Sequence, residues 1–456
     1  MLASHTTIDV EELRVGMYIH LDTGWMSHPF PLSSFRISDP DQIRRIRALG
    51  LHHLRWSPER SAAPPTEPAP LGDAAAVAGP AASPGATAAR IVRSAQPTGP
   101  ARQAEPAEPA EQAEQAEQAE RRRRREELSA QRTALSRCER QYTEAGRIWR
   151  RASDLVCADP PGARALTEAL SRTLVSKMLG QHELCVRLLT VTAGERAAAH
   201  ALNVGVISLL MGRLFGLSES ELLDLGTGAL LHDIGKIDLP DRVRFPDENF
   251  TPAESALYRD HVSHGVSHGR KMGLEPGALL VIAQHHEQAD GSGFPQRLNV
   301  DRMTAAARIV SLVNRYDNLC NPPVPARAIT PHEALSLMFA QGKHKFDATM
   351  LSAFIRMMGV YPPGSAVQLT DDRYALVVTV NSSRPLKPRV LVHDPKVPRD
   401  EALFLDLETT PGLGIRRSLR TSQLPAASQE YLAPAQRIAY FFEPVDPASH
   451  DHTLDG

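Results

Sequence analysis

The chain is poor in cysteine, with four residues (Cys138, Cys157, Cys185 and Cys320) scattered through 456 positions and no CxxC pair. A disulfide framework is therefore not what organises it. Aromatic residues make up only 5% of the chain. No uninterrupted apolar run approaches the ~20 residues that a membrane-spanning helix needs. The opening MLASHTTIDVEELRVGMY lacks the basic-then-apolar order of a signal peptide, so a reducing, cytoplasmic compartment is expected. A net charge of −2 leaves no bulk field to hold a nucleic-acid polymer or a membrane surface. No serine sits in a Gly-x-Ser-x-Gly setting, which removes the usual nucleophile elbow. What remains is 42% hydrophobic residues, enough for a real core, with 36 prolines and 18 histidines.

Composition divides the chain into four parts. Residues 1–60 read as a small α/β regulatory domain, with short strand-like runs at Ile8–Val10 and Val15–Leu21 and an amphipathic helix opened by Asp39-Pro40-Asp41. Residues 61–126, rich in Ala, Pro and Glu, bury too little surface to offset their ordering entropy and read as a disordered linker. Its last stretch, EQAEQAEQAE followed by Arg121 to Arg125, carries Glu–Arg pairs four apart that support an exposed helix near 110–150. Residues 127–362 read as almost entirely helical, with no strand signal. Residues 363–445, with ALVVTV, RVLV and IAYFF, read as a β-rich C-terminal appendage. The fold class is mainly α.

The chemistry concentrates in the helical part. Leu230-Leu231-His232-Asp233-Ile234-Gly235-Lys236 puts an imidazole and a carboxylate side by side, and the two oxygens of Asp233 allow it to bridge two cations. His200 precedes this run, and His261 and the pair His285-His286 follow it. Imidazole and carboxylate without nearby cysteine suit iron, manganese or zinc rather than a thiolate site. His264 and His268 follow His261 at helical offsets and are read as structural.

The run LLHDIGK, then His261, then HHEQADGSGFP, resembles the HD-GYP subclass of the HD phosphohydrolase superfamily over roughly 195–362. EELRVGMYIHLDTGW resembles the small domain of unknown function that often precedes it in bacteria. The resemblance implies an HD-type helical bundle, two divalent metal ions, iron or manganese, and hydrolysis of cyclic di-GMP to linear pGpG or GMP. It implies metal ligands at His200, His232, Asp233, His261, His285 and His286, with Asp233 bridging and Lys236 meeting the scissile phosphate. Gly291, Gly293, Phe294 and Pro295 correspond to the loop that names the subclass, with phenylalanine in place of tyrosine, and are expected to help bind substrate. Three positions depart from the pattern. Asn314 stands where the family has a metal-binding aspartate, with Asp317 three residues on as a substitute ligand. Asn321-Pro322-Pro323 replaces an Arg-Pro-Tyr, so a phosphate-binding guanidinium must come from elsewhere, Arg308 or Arg327. Arg196 stands where three-metal members carry glutamate, which favours two metals. The alternative reading is a catalytically weak module that senses cyclic di-GMP or recruits signalling partners such as a diguanylate cyclase. The oligomeric state is left open.

Overall fold

The computed structural model describes residues 6–21, 34–37, 39–61, 109–179, 183–189, 196–381, 386–435 and 437–444. These fall into two units, one up to Arg125 and one from Glu126 onward.

The first unit holds a four-stranded antiparallel sheet of β1 (Thr6–Asp9), β2 (Tyr18–His20), β3 (Ser34–Arg36) and β4 (His53–Trp56), in the order β1-β4-β2-β3. Helix α1 (Pro40–Arg47) joins β3 to β4. Ile8, Ile19, Ile37, Ile46 and Leu54 are buried, so the alternating apolar positions of the strands and one face of the helix supply a single small core. Residues 62–108, most of the expected linker, lie outside the described residues. Its last part is helix: α2 runs from Pro109 to Leu155, so the boundary expected near 126 falls inside it. Glutamate, alanine and glutamine are strong helix formers, and the Glu117–Arg121 pair adds an i,i+4 contact. Cys138, Tyr142, Ala145, Trp149 and Ala152 then form a buried stripe at helical spacing in the second unit.

In the second unit, α3 (Pro160–Leu179) leads to strand β5 (Leu184–Leu189) and then to α4 (Arg196–Leu214) and α5 (Glu219–Leu231). There follow α6 (Pro252–Arg259), α7 (His261–Met272), α8 (Pro276–Gln284), α9 (Ala305–Cys320), α10 (Pro331–Gln341) and α11 (Ala348–Met358). Helix α4 is the one described helix with the length and hydropathy of a bilayer span, and it is a core helix, with Val204, Val206, Ile207, Leu209 and Met211 fully buried. The chain ends in β6 (Ala366–Leu369), β7 (Tyr374–Asn381), β8 (Arg389–Val392), β9 (Leu405–Asp406), β10 (Ile415–Leu419), α12 (Ala426–Leu432) and β11 (Ala439–Pro444).

Strand β5 corrects the expectation of a strand-free helical region. It lies between β7 and β11 in a sheet of order β10-β6-β7-β5-β11, so the C-terminal strands are built around a strand from the helical part. All six residues of β5 are buried. A strand covered on both faces loses its alternation, and β5 (LCVRLL), apolar except for Arg187, so reads from sequence like a segment of core helix.

Candidate metal centre

Three helices end at the same point. Helix α5 stops at Leu231, α6 at Arg259 and α8 at Gln284, and a histidine follows each stop within two residues. Each histidine donates Nδ1–H to the carbonyl three residues earlier: His232 to Ala229 at 2.7 Å, His261 to Tyr258 at 2.5 Å and His285 to Ile282 at 2.7 Å. The last carbonyls of a helix have no partner within it, so these rings satisfy them. The same bond fixes the tautomer, leaving Nε2 as a lone pair directed away from the helix. The negative ends of three helices thus converge where a cation is favoured.

His200 reaches the same point from the first turns of α4. Its Nδ1 donates to Asp317 Oδ2 at 2.6 Å, and its Nε2 faces His232 Nε2 at 3.1 Å. On the other side His261 Nε2 faces His285 Nε2 at 3.3 Å. Asp233 stands between the pairs. Its Oδ2 is 3.5 Å from the Nε2 of both His200 and His232, and its Oδ1 is 3.5 Å from His261 Nε2 and 3.6 Å from His285 Nε2. The chain turns sharply at Asp233 (φ −98°, ψ 6°) between α5 and a 3-10 turn over Ile234–Asp238. Gly235 permits that turn to lie against α7, because a Cβ there would come within 2.0 Å of His261 O.

Burial pushes His232 and His286 well below the usual imidazole range and His261 down to about 3, so these rings are neutral. Burial alone would raise the Asp233 carboxyl, but the Lys236 ammonium 2.6 Å away and the imidazoles hold it well below the usual carboxylate range. Two pairs of facing lone pairs, each beside one carboxylate oxygen, repel one another unless a positive charge lies between them. Asp233 Oδ1 and His286 Nε2 are, moreover, enclosed without a hydrogen-bond partner. Two ligand groups result, His200–His232–Asp233 and Asp233–His261–His285–His286, and Asp233 belongs to both. These donors fit divalent metal ions.

The loop after His286 supports the second group. Its backbone packs so closely on the histidine pair that a Cβ at Gly293 would lie 2.5 Å from His286 O, and Gly291 takes φ +76° in the turn. Phe294 stacks on His286 with centroids 4.5 Å apart. Glu287, which sequence reasoning passed over, is fully buried and accepts from Gln296 N at 2.7 Å and Leu298 N at 2.8 Å, holding the loop beyond Pro295. Gly291, Gly293, Phe294 and Pro295 do not line the cavity described next; in this structure the loop packs on the histidine pair.

The other expected site residues have protein partners in this structure. Asp317 is fully buried with both oxygens engaged: Oδ2 by His200, and Oδ1 by Asn203 Nδ2 at 2.8 Å and Asn321 Nδ2 at 2.9 Å. In this arrangement it fixes the orientation of the His200 ring. Asn314 Oδ1 accepts from Asn318 Nδ2 at 2.6 Å, a contact within α9. Arg308 donates to Met303 O at 3.0 Å and pairs with Asp347 at 3.0 Å, tying α9 to the start of α11; Arg327 pairs with Glu248. Neither arginine lines the cavity.

A cavity of about 270 Å³ opens beside the first group, lined by His200, Asp233 and Lys236 and by three arginines, Arg150, Arg196 and Arg244. Arg244 is held by Lys236 O, Leu239 O and Asp241. Arg196 lies one turn before His200 on α4, its guanidinium 4.3 Å from the ring centre of Phe245. It makes no hydrogen bond or ion pair among the described residues. The sequence singled it out, four residues before His200, as a departure from the three-metal pattern and not as a cavity residue.

The domain-of-unknown-function family DUF3391 matches residues 5–165, and the HD domain family matches residues 176–350. The cyclic di-GMP phosphodiesterase PA4108 of Pseudomonas aeruginosa is 26% identical over 84% of this chain and 84% of its own length. The cyclic di-GMP phosphodiesterase response regulator RpfG of Xanthomonas campestris is 33% identical over 32% of this chain and 39% of its own. The 3'3'-cGAMP-specific phosphodiesterase 2 of Vibrio cholerae is 33% identical over 27% of this chain and 24% of its own. The solved HDG"Y"P protein Bd1817 of Bdellovibrio bacteriovorus overlays 77% of this chain and 98% of its own at 13% identity, with a TM-score of 0.41.

Proposed function

We propose, for a chain that belongs to the HD domain family in its HD-GYP form with a DUF3391 module ahead of it, that the converging histidines are the centre of a cyclic di-GMP phosphodiesterase. The observation that carries this is the pair of facing imidazole couples, one on each oxygen of Asp233. His200, His232 and Asp233 would hold one divalent ion and Asp233, His261, His285 and His286 a second, iron or manganese. Bound there, the metals supply Lewis acidity and a water acidified into the neutral range.

The chain's own residues do the rest. Hydrolysis joins a water oxygen to phosphorus and breaks the phosphorus–oxygen bond to ribose, the displaced ribose oxygen gaining the proton that water gives up, leaving linear pGpG and, after a second cleavage, GMP. Lys236 keeps its proton: burial opposes it, but Asp233 at 2.6 Å raises its pKa further. It therefore presents a fixed positive charge to the phosphate and not a proton to the leaving oxygen. Arg196, with no hydrogen-bond or ion-pair partner among the described residues, is the fork-shaped donor for a phosphate oxygen, in place of the guanidinium missing after α9. Phe245 beneath it offers an aromatic face at the cavity rim. We assign the first unit to regulation, through signalling partners such as a diguanylate cyclase, and place the reaction in the cytoplasm.

The test is metal analysis of the purified chain, followed by product analysis after incubation with cyclic di-GMP and manganese or iron. Two ions per chain and a linear product are expected, with turnover abolished in His232→Ala and Asp233→Ala. The Asn314–Asn318 bond favours a second reading, a metal-poor sensor, and tight nucleotide binding without product would establish that instead.

A further inference from the structure

A second group of ligand-type side chains lies outside the central cluster and takes no part in the proposed reaction. Asp238 closes the 3-10 turn that begins after Asp233, His264 and His268 stand one turn apart on α7, and Cys157 follows the end of α2. Ligand atoms of Cys157, Asp238 and His268 all lie within 4.8 Å of one another. Asp238 Oδ2 is 2.7 Å from His268 Nε2 and 3.9 Å from His264 Nδ1. His264, its side chain 36% exposed, stands outside that group of three, and its Nδ1 is enclosed with no hydrogen-bond partner; His268, 5% exposed, also leaves Nδ1 unsatisfied.

A plain histidine–aspartate ion pair accounts for His268 and Asp238 alone. It leaves the second imidazole and the thiol beside them unexplained. Two histidines at i and i+4 on one helix face, a carboxylate and a thiol are the donors of a tetrahedral zinc site. Zinc–nitrogen and zinc–oxygen bonds of about 2.0–2.2 Å set neighbouring ligand atoms about 3.4 Å apart, between the two separations observed. Cys157 is exposed, whereas the other three cysteines are buried, and burial pushes the Cys138 and Cys185 thiols up to about 11 and 12. Cys157 is thus the thiol open to a metal.

We propose that Cys157, Asp238, His264 and His268 bind one zinc ion, separate from the ions of the central cluster. The ion would join three pieces of chain: the end of α2, the turn that carries Asp233 and Lys236, and the helix whose first residue is His261. The turn and α7 already touch, since a Cβ on Gly235 would lie 2.3 Å from Gly265 N. Zinc would lock that contact and so fix Asp233 relative to His261.

The experiment uses the full chain, stripped with a chelator and titrated with Co²⁺. A thiolate bound to cobalt gives a sulfur-to-metal charge-transfer absorption, and the central cluster has no cysteine to produce one. The band should saturate at one cobalt per chain, persist in His232→Ala, vanish in Cys157→Ser and weaken in His268→Ala and His264→Ala. Zn²⁺ should displace it, and should slow the reaction of Cys157 with a thiol reagent by about tenfold or more. Folded protein that shows no such band, or a band that survives in Cys157→Ser, overturns the site and leaves an ion pair only. Equal thiol reactivity with and without zinc does the same. None of these readouts depends on phosphodiesterase activity, so the failure of either proposal is visible without the other.

Discussion

The two sides of Asp233 have nearly the same donors and very different surroundings. His261 and His285 are sealed, at 0% and 1% exposure, behind the stacked Phe294 and the buried Glu287. His200 faces a cavity with Lys236 and three arginines around it. His200 and His232 on one side and His261 and His285 on the other all have Nδ1 tied down, so the ligand-type residues alone do not say where substrate enters. The surroundings do. Where positive side chains and open volume adjoin the donors, an anion can approach; where rings and a buried carboxylate close them in, an ion can only be held.

The comparison can be broken most severely at the residue both sides share. Asp233→Asn should empty both groups and lower turnover by more than about 1,000-fold, the several kcal/mol that metal charge contributes; metal content and initial rates check this. Acid should act next, and chiefly on the sealed side. His261 titrates at about 3 when folded against an ordinary value near 6.5, so the unfolded chain binds the extra proton between those limits. Stability of the chelated protein should therefore be intact above pH ~6.5. It should fall as pH drops towards 3, by about 1.4 kcal/mol per pH unit for each such histidine, as read by thermal melts across that window. Asp317→Asn should weaken only the open side, by about 10- to 100-fold in metal affinity, because His200 loses the acceptor that fixes its ring. A loss of both ions would show that the sides are not independent. Smallest, Arg196→Ala should cut kcat/KM by about tenfold through KM with metal content unchanged, while Arg308→Ala should leave kinetics untouched and lower the Tm slightly.

The residues that cluster around Asp233 were legible where they are adjacent in sequence, as in His232-Asp233 and His285-His286, while His200 and His261 stand alone. The residues that support them were not legible. Asp317 reads as a spare ligand until Asn203, more than a hundred residues earlier, is seen bonded to it. Arg308 reads as a free cation until Asp347 is seen to hold it. Partners so distant leave no local trace. Strand β5 was missed for a different reason, since burial on both faces erases the alternation by which a strand is recognised. Helix α2 shows the limit of composition as a guide: alanine and glutamate in a repeat suit a solvated helix as well as an unstructured tether, and only the arginines spaced four on tip the balance.

Strand β5 also bears on where this chain can be cut. Its Arg187 makes a buried ion pair with Glu443 of β11, and Asn203, which steadies Asp317, donates to Ile438 O and accepts from Tyr440 N. A shortened version ending where the composition changes, near 362, would expose β5 along both edges and strip Asn203 of two of its three anchors. The C-terminal appendage is the wall against which the first histidine is braced, and a recombinant catalytic fragment should be designed to keep it.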